Sequence, residues 1–484
     1  MPVLEHLQPE NVLHFFEELC AIPHGSGNTK AVSDYCVAFA RERGLEVHQD
    51  SLNNVIIIKE ATEGYENAPA VILQGHLDMV CEKAPDCSLD MAREGLRLRT
   101  DGQWIWAEGT TLGGDDGIAV AMALAALDAG DLPHPRLEAV FTVDEEVGME
   151  GAVGLDVSCL RSRIMLNVDS EVEGVLTVSC AGGVRATCHI PVEREQAEGV
   201  NYRLEIHGLT GGHSGVEINK GRANANVLMG RLLDALSLEM PLRLVTLTGG
   251  QADNAIAPAC CAEVLTAPED AARLEALAES WGRVFAKEYQ TADPGLRVDC
   301  APAGAAAVLP LTREATARVV SALMLLPNGV QTMSMDIPGL VQTSLNLGVL
   351  RLKEQEMAGT FAVRSSVATE KAMLCRRIEC LAALLGGSVT YTGDYPGWEY
   401  LRDSKLRELV AGVYREQTGK EPVIEAIHAG LECGVFAGKL PGLDCVSVGP
   451  DMQEIHTPRE RLNVASTQRT WALVCEVLRR AKEL

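Results

Sequence analysis

Five short stretches of this 484-residue chain place metal-ligating or proton-transferring side chains beside runs of apolar, β-branched residues. His76-Leu-Asp78 follows the run Ala70-Val-Ile-Leu73, Asp144-Glu145-Glu146 follows Leu137 to Val143, and Asp169-Ser-Glu171 follows Arg163 to Val168. Gly449-Pro450 and Ile455-His456-Thr457-Pro458 come just after Cys445 to Val448, and Thr111-Leu-Gly-Gly-Asp-Asp-Gly117 opens a very apolar tract. In extended chain, residues i and i+2 share a face, so His76 could bind a metal while Asp78 takes its other ring proton. Neighbouring side chains point to opposite faces, so one of Glu145 and Glu146 could hold a metal while the other faces a bound water. Taken singly, each stretch has a plainer reading: a turn histidine, a helix N-cap, or a solvated acidic turn. Taken together, two histidines and several carboxylates, each beside the end of a different strand, suit two divalent cations bridged by one carboxylate.

The elements that must position these residues follow from periodicity. Val12, Phe15, Phe16, Leu19 and Cys20 mark an amphipathic helix, and Ala31 to Arg43 reads as a second one ended by Gly44. Strands at Val55–Ile58, Ala70–Leu73, Leu137–Val143, Arg163–Val168 and Gly174–Cys180 alternate with helical segments, among them the apolar tract that runs to Ala129. This alternation predicts an α/β fold, and open α/β sheets hold their ligands at the carboxyl ends of the strands. From about Val184 the texture changes to alternating strands, such as Arg203-Leu-Glu-Ile-His207, beside helices at Ala223–Leu236 and Ala271–Glu288, and a second stretch of the same kind follows. After Tyr395-Pro-Gly397 the α/β texture returns, with a helix at Ser404–Gln417 and strands near Val423 and Cys445–Val448. The expected architecture is a catalytic domain of residues 1–184 and 396–484, with a mixed, largely parallel sheet layered by helices, and an inserted α+β lid domain of residues 185–395.

Composition excludes several function classes. Acidic residues number 67 against 42 basic ones, and the resulting net charge of −25 repels phosphate backbones and anionic lipid, so nucleic acid and membrane are not expected partners. The 15 cysteines include no Cys-x-x-Cys pair and read as reduced, mostly buried thiols. Acids at Glu5, Glu10, Glu17 and Glu18 stand where an export signal needs a basic flank and an apolar core, and Asp128 closes the longest apolar tract well short of a membrane span. No glycine-rich loop leads into Lys-Ser or Lys-Thr, which argues against a P-loop. Trp104, Trp106 and Trp398 read as packing residues, and His24, His48, His134 and His207 show no partner spacing.

The order His-x-Asp, Gly-Gly-Asp-Asp-Gly, Asp-Glu-Glu, Asp-Ser-Glu and a late His-Thr-Pro resembles the di-zinc M20 metallopeptidases. Asp169-Ser-Glu-Val-Glu-Gly174, Cys180-Ala-Gly-Gly183, Gly211-Gly-His-Ser-Gly215 and His428-Ala-Gly-Leu-Glu-Cys-Gly434 carry the resemblance further, to the cytosolic aminoacyl-histidine dipeptidases within that family. The resemblance spans essentially the whole chain. It implies two zinc ions, replaceable by manganese or cobalt, with Asp115 bridging, His76 and Asp169 on one ion, and Glu146 and His456 on the other. It assigns Asp78 to the acid behind His76 and Glu145 to the general base that takes a proton from the attacking water. Relatives often have Asn after the bridging Asp, whereas this chain has Asp116, so either acid could bridge; the glycines align Asp115 with that role. In the lid, the resemblance implies that His213 stabilises the oxyanion and that Asn254 and Arg364 hold the substrate's terminal carboxylate. Gly430 and Glu432 would receive its amino end. The implied activity is hydrolysis of Xaa-His dipeptides, β-alanyl-histidine included, by a cytoplasmic homodimer; an M20-type aminoacylase, a broader aminopeptidase or tripeptidase, and a binding protein without turnover are the alternatives.

Overall fold

A computed structural model describes residues 2–306 and 308–484. The chain divides into two compact units, the first comprising residues 1–180, 398–426 and 431–484 and the second residues 181–397 and 427–430.

The first unit is built on an eight-stranded sheet in the order Glu46–Gln49, Val55–Lys59, Leu137–Thr142, Val71–His76, Ile164–Asn167, Asp444–Ser447, Val175–Cys180 and Val423–Ile427. Four adjacent strands in its middle, from Leu137–Thr142 to Asp444–Ser447, run parallel, and the pairs outside them with recorded registers are antiparallel. The parallel strands are covered on both sides, which explains why Val71–His76 and Leu137–Thr142 are buried at every position. Glu138, the one acid in these two strands, is satisfied by the Arg136 guanidinium and by the backbone N–H groups of Arg161 and Ser162. The apolar tract forms helix Gly114–Asp128, buried along its whole length from Gly117 to Leu127, as expected of a helix that is apolar on every face. It packs on helix Glu10–Cys20 and on strand Val71–His76.

A separate four-stranded sheet in this unit pairs Met452–Gln453 with Arg461–Asn463, the latter with Trp104–Ala107, and that with Leu98–Thr100. Sequence patterning points to none of these short strands. They hold His456 in the loop of their hairpin. Among the described residues no helix is long and apolar enough to cross a membrane.

The second unit carries an antiparallel sheet in the order Arg297–Pro302, Val200–His207, Cys260–Thr266, Leu242–Gly249, Val341–Leu352, Glu356–Ser365, Gly182–Pro191 and Ser388–Tyr395, with Gly329–Met333 added on Val341–Leu352. Helices Ala225–Glu239, Ala271–Glu288, Arg313–Leu325 and Ala368–Leu384 share one core with its inward-facing residues, among them Leu228, Phe285, Val319, Leu345, Phe361 and Ile378. All the expected helices form, within a few residues of their expected ends. The change of texture at Val184 falls inside strand Gly182–Pro191.

Candidate metal centre

The four parallel strands of the first unit end at His76, Thr142, Asn167 and Ser447, and the chain leaving each end carries a predicted site residue. His76 is the last residue of its strand. Glu145 and Glu146 follow Thr142 by a turn in which Asp144 takes φ of +57°, and the Asp144 carboxylate accepts the Gly27 N–H at 2.6 Å. Asp169 follows Asn167, and His456, at φ of +57°, lies in the hairpin after Ser447. Asp115 comes from the opposite direction, at the mouth of the buried helix. There Gly113 is left-handed at φ +68°, and a Cβ on it would come within 2.9 Å of the Met79 sulfur.

Asp115 stands between the two histidines. Its Oδ1 lies 3.1 Å from His76 Nε2 and its Oδ2 3.2 Å from His456 Nε2. His456 Nε2 is also 2.8 Å from Glu146 Oε1, and His76 Nε2 is 3.6 Å from Asp169 Oδ1. The sets His76, Asp115, Glu146 and His76, Asp116, Asp169 each offer ligand atoms within 4.8 Å of one another. Asp78 lies behind His76: its carbonyl is 3.0 Å and its Oδ1 3.4 Å from His76 Nδ1, and it accepts from Ser26 Oγ at 2.8 Å and from the Glu145 N–H at 3.1 Å. Asp78 thus orients the first histidine through its carbonyl and the turn bearing both glutamates through its carboxylate, with Nε2 of His76 left facing the cluster.

The electrostatics are those of crowded, mostly buried acids beside one buried and one exposed histidine. Burial first, then repulsion from Asp169 and other neighbours, raises the Asp116 and Glu145 carboxyls far above the ordinary range. Burial likewise raises Asp169, with Asp115 and Glu146 adding to it. Asp115 is the exception: burial pushes it up, but hydrogen bonds from His456 and His76 hold it below the usual value. The same bonds, to Asp115 and then Glu146, raise His456 to about 10. Asp116 is fully buried; its Oδ2 accepts the His76 N–H at 3.1 Å and its Oδ1 has no partner. Clustered hard oxygen donors, two imidazoles and a buried oxygen in want of a positive partner fit a pair of divalent cations.

In the second unit, His213 sits on a two-residue strand paired with Ala255, next to exposed Asn254, whose carbonyl accepts from the Ser214 N–H. His213 Nδ1 accepts the N–H groups of Gly215 and Val216 at 3.2 Å each, so its proton is on Nε2. Burial and then Arg364 lower its pKa, which favours this neutral tautomer. Arg364, on strand Glu356–Ser365 opposite Ser344, donates from Nη1 to the Tyr395 hydroxyl at 3.2 Å, while its Nε is buried without a partner. His428, from the segment that contains Gly430, has its Nε2 2.7 Å from Ser344 Oγ and its Nδ1 buried and unpaired. Burial, Arg364 and His213 push the His428 pKa down to about 3.

One placement departs from the expected contact with the substrate's amino end, that of Glu432, and one was not anticipated, that of Glu460. Glu432 has no exposed surface: its Oε2 accepts from Gln74 and Thr142, each at 2.6 Å, and burial raises it to about 7. Glu460 accepts three backbone N–H groups just before Asp115, and no periodicity separates it from the polar run Thr457-Pro-Arg-Glu.

Residues 72–480 match peptidase family M20/M25/M40. The chain belongs to this family. The M20 chain is 36% identical over 483 residues, 99% of each sequence, to the cytosol non-specific dipeptidase of Escherichia coli K12. Among solved structures it is similar to aminoacylhistidine dipeptidase from Vibrio alginolyticus, with 35% identity, a TM-score of 0.94, and coverage of 99% of this chain and 98% of that one. Aminopeptidase PepT from Bacillus cereus shares the fold at 17% identity and a TM-score of 0.55, with 98% and 99% of the two chains covered.

Proposed function

We propose that this M20 peptidase is a dipeptidase that cleaves dipeptides, Xaa-His and β-alanyl-histidine among them, with two zinc ions per chain and Glu145 as general base. The observation that carries the reading is Asp115, whose two oxygens each face a different histidine. In this reading His76 and Asp169 hold one ion, Glu146 and His456 the other, and Asp115 both; manganese and cobalt compete for the same oxygen and nitrogen donors. The ions, when bound, acidify water and polarise the peptide carbonyl.

The chain's own residues do the rest. Glu145, on the turn whose N–H is held by the Asp78 carboxylate, takes a proton from the nucleophilic water and returns it to the departing amine. Asp78 fixes the His76 ring and, through the Glu145 N–H, the base itself. His213, with Nδ1 already occupied, presents Nε2–H as a donor for the oxyanion. Arg364, whose Nη1 donates to the Tyr395 hydroxyl and whose Nε is unpartnered, supplies the cation for the substrate's terminal carboxylate, with Asn254 as a further polar contact. Gly430 is left as a contact for the amino end, whereas Glu432, having no exposed surface, is held by Gln74 and Thr142 near the ends of two central strands. The names of the two relatives near 35% identity support a dipeptide substrate and differ over the breadth of specificity.

The test is a substrate panel on the purified, zinc-loaded chain: Xaa-His dipeptides, dipeptides without His, a tripeptide and an N-acyl amino acid. Dipeptides should turn over fastest. Faster cleavage of the N-acyl amino acid or the tripeptide would replace this reading with an acylase or a tripeptidase, and no turnover of any of them would leave a binding protein.

A further inference from the structure

Glu460 is only 3% exposed, yet it is neither a metal ligand nor paired with a cation. Its Oε2 accepts the N–H groups of Leu112 at 2.7 Å and Gly113 at 3.1 Å, and its Oε1 accepts that of Gly114 at 2.8 Å. We propose that Glu460 is the positioning residue of the metal centre, clamping the turn that precedes Asp115 to the hairpin that carries His456. The inference rests on the two-metal reading and adds to it the group that holds the bridging ligand in register.

Three observations carry it. Glu460 immediately precedes strand Arg461–Asn463, whose pairing with Met452–Gln453 closes the hairpin around His456 and whose pairing with Trp104–Ala107 brings it beside the chain leading to the turn. One side chain therefore joins two ligand-bearing loops that lie nearly 350 positions apart in sequence. The clamp also accounts for the second glycine of the Gly-Gly pair, since a Cβ at Gly114 would come within 3.1 Å of Glu460 Oε1 and 3.2 Å of the Met452 sulfur. Finally, the three amides would otherwise be buried donors at the mouth of a helix, next to an aspartate that shares like charge with Asp116 and Asp169. The Glu460 charge does nothing to relieve that repulsion, because it stands near Asp115 as a like charge. Its contribution is geometric: three charge-assisted bonds stop the turn from recoiling.

The test measures zinc affinity of the full-length, metal-free protein by competition with a chromophoric chelator, beside circular dichroism and thermal unfolding of the metal-free forms. In Glu460→Gln the side-chain NH₂ meets a backbone N–H, and zinc should bind about 10- to 100-fold more weakly in a protein that is still folded, the usual scale for groups that orient ligands. Glu416→Gln, which removes only a surface partner of Arg480, should stay within about twofold of the parent. A folded Glu460→Gln variant with the parent's zinc affinity overturns the inference, even if its melting point falls, because Glu460 would then serve stability alone. Should that variant not fold, Gly114→Ala decides: its methyl displaces the turn from the carboxylate, and an unchanged zinc affinity is equally fatal. Asp115→Asn separates the levels. If it loses zinc while Glu460→Gln does not, only the clamp is wrong; if it binds zinc like the parent, the two-metal reading falls and the clamp with it.

Discussion

Arg364→Met should make the metal-free protein more stable while it damages the activity. Arg364 is 9% exposed, and the Nε of its guanidinium has no partner. Leaving one buried donor unmade costs about 1–3 kcal/mol, and more when the group is charged. Methionine fills a similar volume and loses the bond to the Tyr395 hydroxyl, about 1 kcal/mol, so the net gain should be on the order of 1 kcal/mol. His428 supplies an independent readout. Its folded pKa of about 3, below the unfolded value of 6.5, means that the unfolded chain binds more protons between those limits, so stability falls as pH drops through that window. At pH 5 this loss amounts to about 2 kcal/mol relative to pH 8, at roughly 1.4 kcal/mol per unit. Removing the guanidinium should raise the His428 pKa and flatten this acid limb. Urea unfolding at pH 8 and pH 5 with chelator present, and NMR titration of the His428 ring, measure both effects. In the zinc-loaded form, kcat/KM for a dipeptide should fall about 10- to 100-fold, the worth of one charged hydrogen-bonded contact, with little change for the corresponding dipeptide amide. A variant less stable than the parent at pH 8, with an unmoved His428 and equal losses on dipeptide and amide, would refute the reasoning.

Two further substitutions test the metal unit. Glu145→Gln should retain full zinc content and lose about 10²- to 10⁴-fold in kcat, as measured by metal analysis and turnover on one sample; undiminished turnover removes the base assignment. Asp78→Asn keeps the shape but replaces an acceptor that serves Ser26 and the Glu145 N–H, so chelator competition should show zinc affinity about 10- to 100-fold weaker.

The parts of this molecule that were readable in sequence are those whose burial is severe. Val55–Lys59, Val71–His76 and Leu137–Thr142 read as strands because a covered sheet tolerates little but apolar side chains, and helix Gly114–Asp128 announced itself by having no polar face. Glu46–Gln49 was invisible because an edge strand with exposed Glu46, His48 and Gln49 carries no apolar alternation. His76, Asp115, Glu146 and His456 were singled out because each lies beside an apolar run and because together they make a ligand set for two cations. Glu460 was not, since an acid among Thr457, Pro458 and Arg459 looks solvated, and only the folded chain shows three amides converging on it. The pairing of His428, the first residue of the His-Ala-Gly-Leu-Glu run, with Ser344 was likewise silent: their 2.7 Å contact joins segments 84 residues apart.

The arrangement of acids is itself an argument about what the first unit is for. Asp115, Asp116, Glu145, Glu146, Asp169 and Glu432 gather around two imidazoles, and most of their surface is withdrawn from water. A structural role would be a poor explanation, since like charges in a dry site weaken a fold and apolar residues of equal volume would pack better. The rest of the unit is otherwise economical: Glu138 and Asp78 are buried acids whose oxygens are all engaged by donors. Among the described residues of this unit, the buried side-chain oxygens left without a partner are those of Asp116 and Glu432. The stability to tolerate them comes from the surrounding apolar helix and strands, and the deficit has one sign, that of missing positive charge. Side chains do not make it up, because no Lys or Arg reaches the cluster among the ion pairs of the described residues. Multivalent cations would, and a fold that keeps such a deficit at the carboxyl ends of four parallel strands is built to be completed by them.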